Sequence, residues 1–406
     1  MFAVFRSARK STRPQAFEVV RKACRRVARP LFTALSLAAI AACTPGTFPT
    51  VPGIDTNRPV TVALLVPGGS DNAGDQILAR SLQNAARLAI ADLEGVDINL
   101  RVYNTAGDPT QAATQAVTAV SDGAKIILGP VYSASANAVA VAVAPSGVNV
   151  LSFSNNAQVA GGNLFILGPT FQNTAERLID YAAKQGKANV VVAHDTSVAG
   201  NLARAAITDA VNRNAGATMV QAVGYERSQQ GVIQAIPAIR SAVKSGGDAV
   251  FFNANSEGAL SLITQLLDES GVDPAETQYI GLTRWDVPPQ TLELPSVQGG
   301  WFAKPDPVLT QQFSNRYRAA YGSAPHPIGG LAYDGMAAIG ALLKDGNRDA
   351  LTIGALTQRA GFQGVNGIFR LRFDGTNERG LAVAQIQDKQ VVIVDPAPRS
   401  FGAAGF

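Results

Sequence analysis

From residue 60 to about 281, short apolar runs alternate with stretches of helical apolar spacing, and that alternation confines the chain to one architectural class. The first run is Val60-Thr61-Val62-Ala63-Leu64-Leu65-Val66, closed by Pro67-Gly68-Gly69. Residues 76–93 then carry Ile77, Leu78, Leu82, Ala85, Ala86, Leu88, Ala89, Ile90 and Leu93, close to a helical repeat. The same reading predicts strands at 98–103, 125–128 and 148–153 around helices at 109–122 and 133–144. A second series follows, with helices at 171–185, 198–214, 230–244 and 256–269 and strands at 188–193, 217–225, 248–252 and 277–281. Continuous apolar strands alternating with helices belong to parallel sheets covered on both faces. Two series of similar length imply two α/β lobes. The last 40 residues differ: 368–373 and 381–386 flank Asp374-Gly375 and read as antiparallel strands, with a third at 391–394 and a loose tail from Pro396.

The N-terminus carries a different signal. Residues 1–30 hold nine Lys and Arg against one acid, Glu18, and an apolar run from Leu31 to Ala42 ends in Ile40-Ala41-Ala42-Cys43. A basic region, a short apolar core and small residues before a cut site form a secretory signal. The run is well short of the roughly 20 residues that span a bilayer. Small residues directly before a cysteine resemble a lipobox, which makes Cys43 the expected lipidation site and 1–42 the expected signal peptide. An ordinary cleaved signal with an incidental cysteine is the alternative. Residues 43–58, rich in Pro, Thr and Gly, read as a tether that reaches roughly 50 Å at about 3.5 Å per residue. Thr44 rather than Asp follows the cysteine, which by resemblance to Gram-negative sorting rules points to the inner leaflet of the outer membrane.

Charge and cysteine usage follow from that signal. The whole chain has 34 Lys and Arg against 30 Asp and Glu; without the nine bases and one acid of 1–42, 25 and 29 remain, a balance of about −4. The basic excess belongs to the signal and leaves no nucleic-acid footprint. Cys24 lies in the segment removed and Cys43 is the lipid site, so the mature domain has no disulfide. The two histidines, His194 and His326, have no second His or Cys at ligand spacing, so no metal or other cofactor is expected. No G-x-S-x-G elbow, P-loop or G-x-G-x-x-G after the first strand is present. His194-Asp195 has the form of an acid–base pair but reads better as a strand end capping the next helix. An enzyme is not expected.

Three strand-end loops stand out: Gly129-Pro130-Val131-Tyr132-Ser133-Ala134-Ser135, Ser152-Phe153-Ser154-Asn155-Asn156 and Thr283-Arg284-Trp285-Asp286. Ligands of open α/β sheets sit beyond the carboxyl ends of the strands, and hydroxyl residues heading a helix offer donors to a carboxylate. Ser133 and Ser135 read equally as binding residues or as N-caps, and Trp285 equally as ligand contact or lobe packing.

ALLVPGG, VYNTAGDP, GAKIILGPVYS, GVNVLSFSNN, LAYDG and GVNGIFRLRFDG, in this order, resemble the type I periplasmic binding proteins of the leucine/isoleucine/valine-binding group over roughly 58–395. VYNTAGDP, LGPVYS, LSFSNN and GVNGIFR look most like the penicillin-binding-protein activator lipoproteins of the LppC-like type. The resemblance implies an α/β fold of two lobes, each a mainly parallel sheet flanked by helices, joined by three crossovers near 168–171, 298–304 and 366–374. Lobe 1 would take 59–168 and 304–368, and lobe 2 would take 169–303 and 369–395, leaving 396–406 as a tail. It further implies a solute held between the lobes, with Ser133, Ser154 and Asn156 at positions that hold a carboxylate. Where the family often has a Tyr and an acid on the second lobe, this chain has Thr196-Ser197-Val198-Ala199-Gly200 and Thr283-Arg284. The site residues expected are therefore Ser133, Ser135, Ser154, Asn156, Arg284 and Trp285. Two functions follow: a periplasmic lipoprotein capturing an amino acid or related molecule for an ABC-type permease, or a regulator touching a penicillin-binding protein.

Overall fold

The structure, a computed structural model, describes residues 53–255 and 258–402. The signal peptide, Cys43 and the first part of the tether lie outside the described residues. Most of the apolar runs become buried strands, while those at 98–104 and 218–225 keep exposed residues. In β1 (Val60–Val66) only Thr61 is more than marginally exposed, and Val62, Ala63, Leu64 and Leu65 are fully buried. Burying such a side chain contributes roughly 1.5–3 kcal/mol.

The first sheet has the order β2-β1-β3-β4-β5, all parallel, with β2 at Ile98–Asn104, β3 at Ile126–Leu128, β4 at Asn149–Ser152 and β5 at Leu164–Ile166. Helices α1 (Ala73–Ala91), α2 (Pro109–Ser121) and α3 (Ser133–Val143) connect its strands. The second sheet runs β15-β14-β10-β9-β8-β6-β7. Its parallel part is β6 (Asn189–Asp195), β7 (Thr218–Tyr225), β8 (Ala249–Phe252), β9 (Gln278–Gly281) and β10 (Trp301–Lys304). Helices α4 (Phe171–Lys184), α5 (Val198–Arg213), α6 (Gln229–Lys244) and α7 (Leu260–Glu269) belong to this lobe. The antiparallel strands β14 (Ala382–Gln387) and β15 (Gln390–Asp395) complete it. Helices α8 (Pro307–Tyr321) and α9 (Gly330–Lys344), which the sequence reading left unassigned, pack on lobe 1 through Phe313, Tyr317, Met336 and Ile339.

The two sheets point at each other. The chain leaves lobe 1 from the carboxyl end of β5 and leaves lobe 2 from the carboxyl end of β10. The loops after the parallel strands of each lobe therefore face the crossovers. In lobe 1 the strand order reverses between β1 and β3, and in lobe 2 between β6 and β8; such switch points open a crevice at the strand ends.

The C-terminal region departs from expectation. The stretch near 366–374 is no crossover, because β12 (Gly367–Leu371) pairs with β11 (Phe362–Gly364) and β13 (Asn377–Arg379) in a separate antiparallel sheet. The strand expected at 381–386 is observed at 382–387 and pairs with β10 and β15 instead of with β12, so the third crossing falls at 380–381. Polar Asn377 and Arg379 carry no apolar alternation, yet both are buried through hydrogen bonds. Asn377 donates to the carbonyls of Ile166 (2.7 Å) and Gly168 (2.9 Å), Arg379 Nε donates to Leu167 O (2.7 Å), and Asn173 of α4 donates to Asn377 O (2.9 Å). The second crossing lies at 305–306, just beyond the expected 298–304, since 301–304 form β10. The end of the tether is docked: Ile54 is buried and its N–H donates to Arg348 O at 2.9 Å. The tail is docked as far as described, with Ala397 buried and Phe401 under the Arg370 guanidinium at 4.6 Å.

Candidate functional site

On lobe 1 the ends of β3 and β4 are knitted into one surface. Gly129 has φ 92°, and a Cβ there would lie 2.2 Å from Leu65 O, so only glycine lets the chain turn against β1. Pro130 O then accepts from Ser152 Oγ at 2.8 Å and from Phe153 N at 3.0 Å. Ser152 Oγ accepts from Ser154 N (3.1 Å), Ser154 Oγ from Asn156 N (3.1 Å), and Asn156 Oδ1 from Gln158 N (3.0 Å). This relay uses the acceptor side of each group to hold its own loop. The Ser154 hydroxyl proton and the Asn156 amide group are left as donors.

Ser133 and Ser135 separate. The cap position of α3 is Tyr132, which gives no side-chain cap, so neither serine is the N-cap. By contrast α1, α2, α4, α5, α6 and α8 are capped by Asn72, Asp108, Thr170, Ser197, Ser228 and Asp306. The first N–H groups of α3 thus have no side-chain acceptor, and Ser133 sits half-buried beside them. Ser135 is fully buried and directed at Gly107 O (3.4 Å), which ties α3 to the loop after β2; it does not reach the crevice.

Tyr132 was missed by the sequence reading. Its phenol donates to Asp75 in the first turn of α1, and its ring packs over Gly107. The hydrogen bond to Asp75, with burial and the neighbouring charge, pushes the phenol up to about 12. The two residues are 57 positions apart, so no spacing in the sequence links them.

Lobe 2 presents acids that are already engaged. At the β6/β8 switch, Asp195 accepts from Ser197 N (2.9 Å) and Asn253 Nδ2 (2.7 Å), while Asn253 Oδ1 accepts from Asp195 N (3.0 Å). Burial acts to raise the Asp195 carboxyl, but these donors and nearby Arg227 outweigh it and hold it low. His194 contacts the Asp195 carbonyl (2.9 Å), not its carboxylate, so the two do not form an acid–base pair. After β9, Arg284 donates from Nε and Nη2 to the two oxygens of Asp286, both at 2.8 Å, and Lys304 Nζ at the end of β10 donates to the same carboxylate at 2.7 Å. The Asp286 side chain is 8% exposed and that of Arg284 36%. Burial again acts to raise Asp286, and the two cations hold it below the usual carboxylate range.

Trp285 belongs to the core of lobe 2. It is fully buried, its ring fills the space that Cβ atoms at Gly281 and Gly300 would occupy (2.3 and 2.4 Å), and it packs near Phe252. It takes the packing role and does not reach the crevice; its Nε1 has no partner.

A cavity of about 560 Å³ has walls from both lobes: Asn155 and Asn156 from lobe 1, Thr170 and Phe171 from the first crossing, Val198 and Leu202 from α5. Its volume falls in the range of small-molecule sites. Val198, the first residue of α5, is 80% exposed at its edge. Among the described residues there is no cluster of His, Cys, Asp and Glu able to hold a metal, and no helix long and apolar enough to cross a membrane.

A family model described as periplasmic binding protein matches residues 59–390. Among solved structures, the chain is similar to a branched-chain amino acid ABC transporter periplasmic ligand-binding protein from Burkholderia xenovorans, at 17% identity over 84% of this chain and 96% of that one, with a TM-score of 0.66. A substrate-binding protein from Desulfitobacterium hafniense in complex with leucine gives 18%, 83%, 100% and 0.62. A solute-binding protein from Rhodopseudomonas palustris in complex with 3,4-dihydroxybenzoic acid gives 18%, 85%, 97% and 0.58. At these identities the likeness establishes the fold. No curated protein matches the sequence.

Proposed function

The chain belongs to the periplasmic binding protein family, and from that premise we propose that it holds a small carboxylate-bearing solute between its lobes and delivers it to an ABC-type permease. The observation that carries this reading is the uncapped start of α3 at the switch point of lobe 1. Free N–H groups and Ser133 follow β3, and the donor groups of Ser154 and Asn156 follow its neighbour β4. Carboxylates are stabilised at such helix starts. Leucine and 3,4-dihydroxybenzoic acid, the ligands of two similar structures, share a carboxylate. The role is binding, not catalysis. In this reading Cys43 carries the lipid that keeps the domain near a membrane, with the outer membrane's inner leaflet as its place.

Native mass spectrometry of the purified mature chain, followed by thermal shift with the co-purified molecule, tests the reading. Ser133→Ala combined with Asn156→Ala is expected to weaken that shift by at least tenfold in midpoint concentration, the size of roughly two lost charge-assisted hydrogen bonds. An unchanged shift removes these residues from the site.

A second reading, contact with a penicillin-binding protein, is favoured by the pre-engaged acids of lobe 2. Asp195 and Asp286 already have protein partners, as a fold kept for a protein surface would arrange them. Pull-down that recovers a penicillin-binding protein, with an empty crevice in every preparation, would favour it over solute delivery.

A further inference from the structure

We propose that Arg284, held in place by Asp286 and Lys304, is an anion receptor on lobe 2, so that the solute carries a second anionic group and is a dicarboxylate or similar dianion. The proposal rests on the solute-binding reading above and names the class of solute for that site.

The cluster contains two cations and one acid, a balance of +1; Asp286 and Lys304 are buried (side chains 8% and 16% exposed), so the excess charge is presented by Arg284, whose side chain is 36% exposed. Arg284 spends Nε and Nη2 on Asp286 in a planar two-point contact, which fixes its guanidinium and leaves Nη1 without a partner on that acid. A guanidinium fixed in advance loses little side-chain entropy when an anion arrives. The cluster is also in the right place. Arg284 follows the carboxyl end of β9 and Lys304 ends β10, the strand from which the chain crosses back to lobe 1. It therefore stands on the edge of lobe 2 that faces lobe 1.

Lobe 1, at its own strand ends, has the uncapped start of α3, a second site of positive potential. The acids on that side are Asp75, occupied by Tyr132, Asp108, exposed and capping α2, and Asp71, exposed after β1. A solute with an anionic group at each end would bridge the two lobes. A zwitterion would set its ammonium group toward Arg284 or depend on exposed Asp71 or on Asp195, which Ser197 and Asn253 already engage.

The test compares linear dicarboxylates of three to six carbons with their matching monocarboxylates and with leucine, by thermal shift and titration calorimetry on the mature chain. At least one dicarboxylate is expected to bind about tenfold or more tightly than its monocarboxylate. Arg284→Gln should erase that preference while leaving the monocarboxylate unchanged. The variant keeps the Lys304–Asp286 contact, so its unliganded melting should remain cooperative; Arg284→Lys, which keeps the charge without the two-point contact, should retain only part of the preference. A dicarboxylate preference that survives Arg284→Gln overturns the proposal and makes the cluster a structural clasp only. Leucine binding that ignores the substitution, with no dicarboxylate bound, overturns it while leaving the solute-binding reading intact. Silence from every probe with an empty crevice by native mass spectrometry overturns both.

Discussion

Replacing Asp334 with Asn should cost more stability than any surface change in this protein. Asp334 on α9 has no exposed surface, and it accepts from Arg379 Nη1 (3.1 Å), Val365 N (2.7 Å) and Asn366 Nδ2 (3.0 Å). Arg379 is 7% exposed, its Nη2 has no partner, and its guanidinium lies 5.0 Å from the Phe369 ring. Burial pushes the Asp334 carboxyl up and Arg379 down, and their mutual attraction opposes both shifts. Asp334→Asn keeps the side-chain shape but leaves a buried guanidinium without a counter-charge, at a cost of about 3–5 kcal/mol. With an unfolding entropy near 2.1 cal/mol/K per residue over about 350 residues, that corresponds to a fall of roughly 4–7 °C in Tm. Urea titration of the wild type, Asp334→Asn, Arg379→Gln and the double variant gives the coupling directly. We expect the double variant to be more stable than the two single losses added together, by about 1.5–3 kcal/mol. A coupling below about 0.5 kcal/mol, or an Asp334→Asn cost under about 1 kcal/mol, would refute the account of the pair as mutually dependent.

Gly364→Ala should damage the same region by a different route, since its Cβ would lie 2.1 Å from Asp334 Oδ1; a loss of about 1–3 kcal/mol in urea is expected, and wild-type stability would show that the contact relaxes freely. Trp285→Phe removes the indole N–H that lacks a partner and most of the ring stays filled, so it should cost about 1 kcal/mol or less, whereas Trp285→Ala should cost about 3–5 kcal/mol. Equal losses for the two would contradict the packing role. Asp286 is held low in the folded state, so its contribution to stability is present above the unfolded carboxylate range and lost as pH falls through its lowered value. The gap in Tm between wild type and Asp286→Asn should therefore be constant near neutrality and narrow below roughly pH 4; a gap that widens on acidification would reverse the sign of the argument.

The parts of the fold that were legible are those where one residue type states one environment. Ile126, Ile127 and Leu128 are fully buried, and their run reads directly as an interior parallel strand. The β13 segment Asn377-Glu378-Arg379 could not be read that way, because a polar strand becomes buried only when its partners arrive from elsewhere: Ile166 and Gly168 for Asn377, Asp334 for Arg379. Ile54 was hidden for a related reason, a single apolar residue in a Pro- and Gly-rich stretch with no period to betray its docking. At the candidate site, the place of Ser133, Ser154 and Asn156 after strands was legible, while their part in binding rests on the family resemblance. The roles of Ser135 and Trp285 were decided by which way each side chain points, which type and spacing leave open. Lys304 escaped notice because the link to Asp286 crosses from β9 to β10.

The three crossings are not independent hinges. Asn377 and Arg379, which precede the third, hold the carbonyls of Ile166, Leu167 and Gly168 in the first, and Asn173 of α4 holds Asn377 in turn. Any rotation of lobe 2 about the first crossing must therefore carry the third with it or break a buried set of hydrogen bonds, at a cost of roughly 1–3 kcal/mol for each polar group left unpaired. The second crossing begins at Lys304, whose ammonium is fixed to Asp286, so that crossing leaves lobe 2 as part of a rigid corner with Arg284. A ligand that engages Arg284 thus acts on the corner from which the second crossing leaves, and one that engages the start of α3 acts on lobe 1. A solute joining the two favours the approach of the lobes by whatever it gains in both contacts over one alone, the differential affinity that any ligand-driven closure requires.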